Sequence, residues 1–230
     1  MQLMADSPIA TGMPDATGPV GRLWRRLKDR LRPAPIATAD SLRTFLSERA
    51  ALIAQKCAID YCRGKTGLAS YALFTEKPFL DALDRCRWDT FAAVLGDLVL
   101  VAEGKLRPHV ATGEHGRLCA ALAGLYPVIL ATVPPPVHRA DGWAEAIASF
   151  ALRFREASKG QPRQALDVAD HSARCLFESL PIHTRYRELD EEVVYGAVRF
   201  RMIAVSQELE RRLDPAQMAG ELLADQNVTL

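Results

Sequence analysis

Apolar positions recur along most of this chain with a period near 3.6 rather than 2, which predicts helices throughout. Leu80, Leu83, Phe91, Val94, Leu98 and Val101 form one stripe. The helix carrying it starts with Thr75 as cap and Pro78 in the first turn, and a break is expected near Trp88. Gly104 and Pro108 end it after about Leu106. Ahead of it, Thr38, Asp40 or Ser41 can cap a helix that reaches about Arg63, before Gly64 and Gly67. That helix has two apolar flanks. Phe45, Leu52 and Ile59 lie on one; Leu42, Leu46, Ile53 and Cys57 lie on the other.

The second half reads the same way. Leu118–Val133 carries no charge, but it is shorter than the roughly 20 residues a membrane span needs, contains Pro127 and runs into Pro134-Pro-Pro136. A central helix of a soluble bundle fits it better. Asp141 caps a helix with Trp143, Ile147, Phe150, Ala151 and Phe154 on one face, closed by Gly160. Pro162 opens another, reaching about Leu180, with Leu166, Ala169, Ala173, Leu176, Phe177 and Leu180 toward the core. After Pro181 the longest helix is expected, roughly Tyr186–Leu213, apolar nearly all round its middle and therefore buried. Asp214-Pro215 breaks it and a short helix runs to about Ala224. The sum is an all-α globular bundle of about seven helices, spanning residues 39–225.

Composition supports that class: 49% hydrophobic residues and 25% charged suit a core-forming chain, and aromatic residues are only 7%. Charge changes the picture at one place. Val20–Arg32 holds six basic residues and one acidic one, in a chain whose formal charge is +1, so residues 34–230 are net negative. As a helix, Val20, Leu23, Trp24, Leu27 and Leu31 share one stripe, with Arg25, Arg26, Lys28 and Arg30 around it. A basic amphipathic helix with a Trp suits an anionic membrane surface, where each cation contributes on the order of 1 kcal/mol. The membrane-binding set is thus Leu23, Trp24, Arg25, Arg26, Leu27, Lys28, Arg30 and Leu31. Residues 1–19 read as a disordered lead without the apolar run of a signal peptide, 20–33 as the basic helix, 34–38 as a linker and 226–230 as a loose tail. A body without positive excess excludes general nucleic-acid binding. Tyr71-x-x-Phe74-x-x-Lys77-x-x-Leu80 resembles the end of the DNA-binding helices in tetracycline-repressor-type regulators, yet only over a dozen residues and without the helix-turn-helix ahead of it.

Candidate chemistry is sparse. The first helix of the body carries Arg49, Lys56 and Arg63 in a row spaced by seven, between its apolar flanks. The last long one carries a polar strip of Glu188, Glu192, Arg199, Ser206 and Glu210. Arg49, Lys56, Arg63, Glu192 and Arg199 together are the candidate lining of an anion-accepting groove, set against ordinary snorkelling and pairing. Asp167 and His171 stand four apart, but on the face turned from the core. Cys57, Cys62, Cys86, Cys119 and Cys175 lack a C-x-x-C pair and read as reduced, mostly buried thiols. No phosphate loop, nucleophile elbow or H-E-x-x-H motif occurs, so no catalytic residue, metal set or cofactor is assigned. The expectation is a cytoplasmic, non-enzymatic adaptor that binds a protein partner and attaches reversibly to the inner face of a membrane. The alternatives are a helical enzyme or small-molecule binder using the groove, and a chaperone-like adaptor gripping a peptide between helices.

Overall fold

The first helix of the body is anchored before it begins. Ile36 is buried, its N–H donates to the Arg212 carbonyl at 2.8 Å, and it makes an isolated parallel bridge with Leu213. Thr38 then caps α1 (Ala39–Thr66) in a reciprocal box with Ser41, whose side chain receives the Thr38 N–H at 2.9 Å. A computed structural model describes residues 34–225, and the lead, the basic helix and the tail read from the sequence lie outside the described residues. The stretch read as a linker therefore contains a core residue, Ile36.

Among the described residues the chain is all helical, with seven helices of 11 residues or more and two single turns. After α1, the turn at Gly67 (φ 53°) leads through a 3-10 turn into the single turn α2 (Ser70–Leu73). Then come α3 (Lys77–Leu106), α4 (His115–Ala131), α5 (Ala144–Lys159), α6 (Ala165–Ser179), the single turn α7 (Thr184–Arg187), α8 (Glu191–Arg212) and α9 (Pro215–Asp225). Exposed Tyr71 sits in the single turn α2, so the regulator-like spacing belongs to no recognition helix.

The axis of the bundle is α3. It runs unbroken past Trp88, and every residue from Thr90 to Glu103 is buried. Helices α1, α4, α5 and α6 all pack on it, and α8 closes the bundle against α6 and α1. Two glycines let neighbours approach α3. A Cβ at Gly96 would meet the Phe150 ring at 2.9 Å, and one at Gly104 would collide with the Arg163 carbonyl oxygen.

Two expectations about position change. The uncharged segment forms α4, but it is peripheral: Leu118, Leu122, Leu125, Tyr126, Ile129 and Leu130 are buried, while Gly116, Ala120 and Gly124 face outward. Apart from Arg117 at its start and half-exposed Val128, the outer face carries small side chains, which lets the uncharged stretch sit at a surface. Helix α8 begins at Glu191 rather than Tyr186, is shorter than α3, and buries one face only, through Val194, Val198, Met202, Val205 and Leu209. Its apolar residues on the far side have no covering helix among the described residues.

Candidate functional site

The polar residues singled out from sequence go to different neighbours. Helices α1 and α8 run antiparallel, fastened along their length by Arg49–Glu208 (2.7 Å), Arg201–Asp60 (2.9 Å) and Lys65–Asp190 (2.6 Å). Arg49 grips Glu208 with both Nε (2.8 Å) and Nη2 (2.7 Å) and lies over the Phe45 ring. Arg212 adds a bond to the same carboxylate, which is held below the ordinary glutamate range by the Arg49 hydrogen bond first. Lys56 is exposed, and Arg63 is exposed with its guanidinium over Phe74. Arg199 donates to Asp170 of α6 at 2.7 Å, lies 3.4 Å from Glu192 and stacks on Tyr195. Residues 199 and 208 are nine apart, so they point about 180° from each other around α8. Arg49 therefore meets α8 on its α1 side and Arg199 lies on its α6 side. The five candidate groove residues do not form one groove.

What α8 presents outward is apolar. Val193 is 65% exposed, Phe200 72% and Ile203 37%, at a spacing that places them on one side of the helix. Beside Ile203 opens a groove of about 550 Å³ between α3, α8 and the segment entering α6. Val101, Leu166 and Ile203 give it an apolar lining, and Leu166 is 53% exposed. Lys105 and Glu210, paired at 3.1 Å, and Arg163 supply its charges. Ser206 and Glu210, two of the five residues of the polar strip read from sequence, line this groove. Leu166, assigned to the core by periodicity, is on its exposed side instead. The stripe lies beside the groove through Ile203, and charged residues border it. Exposed apolar areas of this kind mark interaction sites more often than they occur by chance.

A second hollow lies between α3, α5 and α6, lined by Asp89, Tyr126, Arg139, Phe150, Arg153, His171 and Cys175 among others. Arg139 binds Asp89 with Nε (3.0 Å) and Nη2 (2.7 Å), and His138 reaches the same oxygen at 3.0 Å. Arg153 pairs with Asp97, whose other oxygen accepts the Ser172 N–H at 3.1 Å. Burial pushes the Asp97 carboxyl up to about 6 against the pull of Arg153. His171, at the rim, is pulled down to about 4, first by partial loss of hydration and then by the Arg153 and Arg174 charges. Its volume of about 160 Å³ is below the roughly 300–1,000 Å³ of drug-sized ligand sites. The arginines there are also already spent on carboxylates. Its chemistry is structural.

One cluster escaped the sequence reading. Among the described residues, the group of three able to hold a metal ion is Glu103, His115 and Cys119. His115 and Cys119 are four apart at the start of α4, a spacing visible in the sequence. Glu103 belongs to α3, and only the fold brings it alongside. Glu114 is the chain neighbour of His115, yet the structure pairs that histidine with Glu103.

Comparison of the chain with protein-family models, curated proteins and solved structures gives no match. Among the described residues no helix is long and apolar enough to cross a membrane.

Proposed function

We propose that this chain is a non-enzymatic helical interaction protein that docks through the outer face of α8 and attaches reversibly to an anionic membrane surface, on the cytoplasmic side, through residues 20–33. The observation that carries the docking half is the exposed stripe of Val193, Phe200 and Ile203 beside the groove at Leu166. Such a face accepts an amphipathic helix, with the large side chains as anchors and the charged margins as a polar rim.

A second copy of the same helix has the right chemistry. Glu191 and Glu192 stand in the first turn of α8, and exposed Arg211 in the last. In a two-fold antiparallel pair each acidic start lies against the partner's basic end, and the stripes meet at the centre. The anion-groove alternative is weakened, since Arg49 and Arg199 each hold a carboxylate of their own. The membrane half is supported by the sequence of Val20–Arg32, whose positive charge the body does not share.

Light scattering across a dilution series of the full chain tests the docking half. A dimer that Phe200→Ser converts to monomer supports it, and a monomer at every concentration overturns it. Co-sedimentation with phosphatidylserine vesicles tests the membrane half. Equal binding by the full chain and by a chain beginning at Ala34 would remove residues 20–33 from the reading.

A further inference from the structure

We infer that Glu103, His115 and Cys119 form a binding site for a thiophilic divalent cation, zinc being the best fit, clamping the end of α3 to the start of α4. The three donors converge. His115 Nε2 is 2.9 Å from Glu103 Oε1 and 3.2 Å from Cys119 Sγ, and the sulfur lies 3.9 Å from the same carboxylate oxygen. Tetrahedral zinc with ordinary bond lengths would separate such donor pairs by about 3.4–3.6 Å. The observed triangle brackets those values to within about half an ångström, and Cys119 and His115 reach them by small side-chain rotations.

Two features separate this cluster from a catalytic triad and from a plain hydrogen-bond network. In a thiol–imidazole–carboxylate relay, the acid holds one ring nitrogen and the nucleophile the other. Here both approach Nε2, which is how ligands face a shared ion rather than how a proton is passed along a chain. The second feature is the carboxylate itself. Glu103 is fully buried, and its Oε2 is a buried oxygen with no hydrogen-bond partner. The His115, Cys119 and Arg107 contacts all fall on the other oxygen, Oε1, which is the one that would face the ion.

The surroundings fit an orienting shell. Arg107 donates from Nε to Glu103 Oε1 at 2.6 Å and is itself held by the carbonyls of Ser158 (3.1 Å) and Gly160. The carboxylate is thereby fixed before any ion arrives. His115 and Cys119 are only partly buried, so the site has an approach from solvent. Thiolate, imidazole and carboxylate together select zinc over magnesium or calcium, which prefer oxygen alone. Three protein donors leave a fourth tetrahedral position for water.

The test uses the full chain stripped of metal. Zinc alone is titrated in competition with a chromophoric chelator, and cobalt(II) replaces it for spectroscopy. The expected result is one equivalent bound, with the cobalt form showing tetrahedral d–d bands and a thiolate charge-transfer band. Cys119→Ser should abolish the charge-transfer band and weaken zinc by more than about 100-fold, beyond the loss expected from an outer-shell change. His115→Ala should weaken it comparably, and Cys175→Ser should leave affinity and spectrum unchanged. Because Cys119 and His115 are partly exposed, these variants are expected to fold, which their helical circular dichroism would check. No saturable zinc binding by the wild type overturns the inference. So does an unchanged cobalt spectrum in Cys119→Ser.

Discussion

Helices α3 and α8 look alike in sequence and end in opposite places. Each has a long apolar middle interrupted by two charges, Asp97 and Glu103 in one, Arg199 and Arg201 in the other. Yet α3 is buried on all sides from Thr90 to Glu103, whereas α8 covers one face and shows Phe200 to solvent. Apolar content does not separate them. What does is the number of elements packed around each, and whether neighbours bring partners for its charges. Arg153 comes from α5 to Asp97, and Arg107 and His115 come to Glu103, so two carboxylates can stay inside. Among the described residues no helix covers Val193, Phe200 and Ile203, and that opening is what supports the docking role proposed for α8.

The largest expected effect follows from that difference. Asp97→Ala should strand the Arg153 guanidinium. Removing one partner of a buried pair typically costs about 3–5 kcal/mol, and because Arg153 retains some access to water the lower end, about 3 kcal/mol, is expected. Urea unfolding at neutral pH measures it. A loss below about 1 kcal/mol would mean the axis of the bundle does not depend on its buried carboxylate.

One substitution made in each helix should change sign between them. Gly104→Ala in α3 drives a Cβ into the Arg163 backbone carbonyl, with an expected cost of about 1–3 kcal/mol. Gly196→Ala in α8 meets nothing within 4 Å and replaces a poor helix former by the best one. It should stabilise dilute protein by about 0.5–1 kcal/mol. Equal effects at the two positions would erase the distinction between an enclosed and an open helix.

The comparison also shows what periodicity reaches. The number of helices, the cap at Thr38, the stop at Gly67 and most of the inward set of α5 (Trp143, Phe150 and Phe154 buried, Ile147 partly buried, but Ala151 exposed) follow from local pattern, because each is decided within a few residues. The burial of α8 and the central place of the uncharged segment do not, since a stripe records which side could be covered and not whether anything arrives to cover it. The same limit applies to sites. Arg49 and Arg199 looked like one groove because both interrupt apolar faces, but their carboxylates, Glu208 and Asp170, lie on different elements. The four-residue spacing of His115 and Cys119 is local, whereas Glu103 has to be delivered by the hairpin between α3 and α4.

A smaller effect concerns pH, and it sets two groups around Arg153 against each other. Asp97 binds its proton up to about 6 when folded, above its ordinary 3.8, so its contribution is full at low pH and is lost as pH rises through 6. His171 titrates at about 4 instead of 6.5, so its contribution is present above 6.5 and lost as pH falls through 4. Over pH 4–6.5 the two slopes oppose, and wild-type stability should be nearly flat from this pair. Asp97→Asn should leave stability rising with pH, and His171→Gln should leave it falling. Urea midpoints at both ends of that window give the signs, and matching slopes in the two variants would break the assignment.

The smallest effect on stability belongs to the residue with the largest proposed role. Phe200 is mostly exposed, so Phe200→Ser removes little buried area and should change folding stability by no more than about 0.5 kcal/mol. Against a second copy the same ring would sit at the centre of the paired stripes, where aromatic side chains commonly cost about 2 kcal/mol or more on truncation. The substitution should therefore leave the urea midpoint in place and shift the dimer–monomer equilibrium by more than tenfold, since about 1.4 kcal/mol is a factor of ten. If Phe200→Ser lowered the unfolding midpoint instead and left association alone, the ring would be part of the core after all. The contrast between α3 and α8 would then be one of degree.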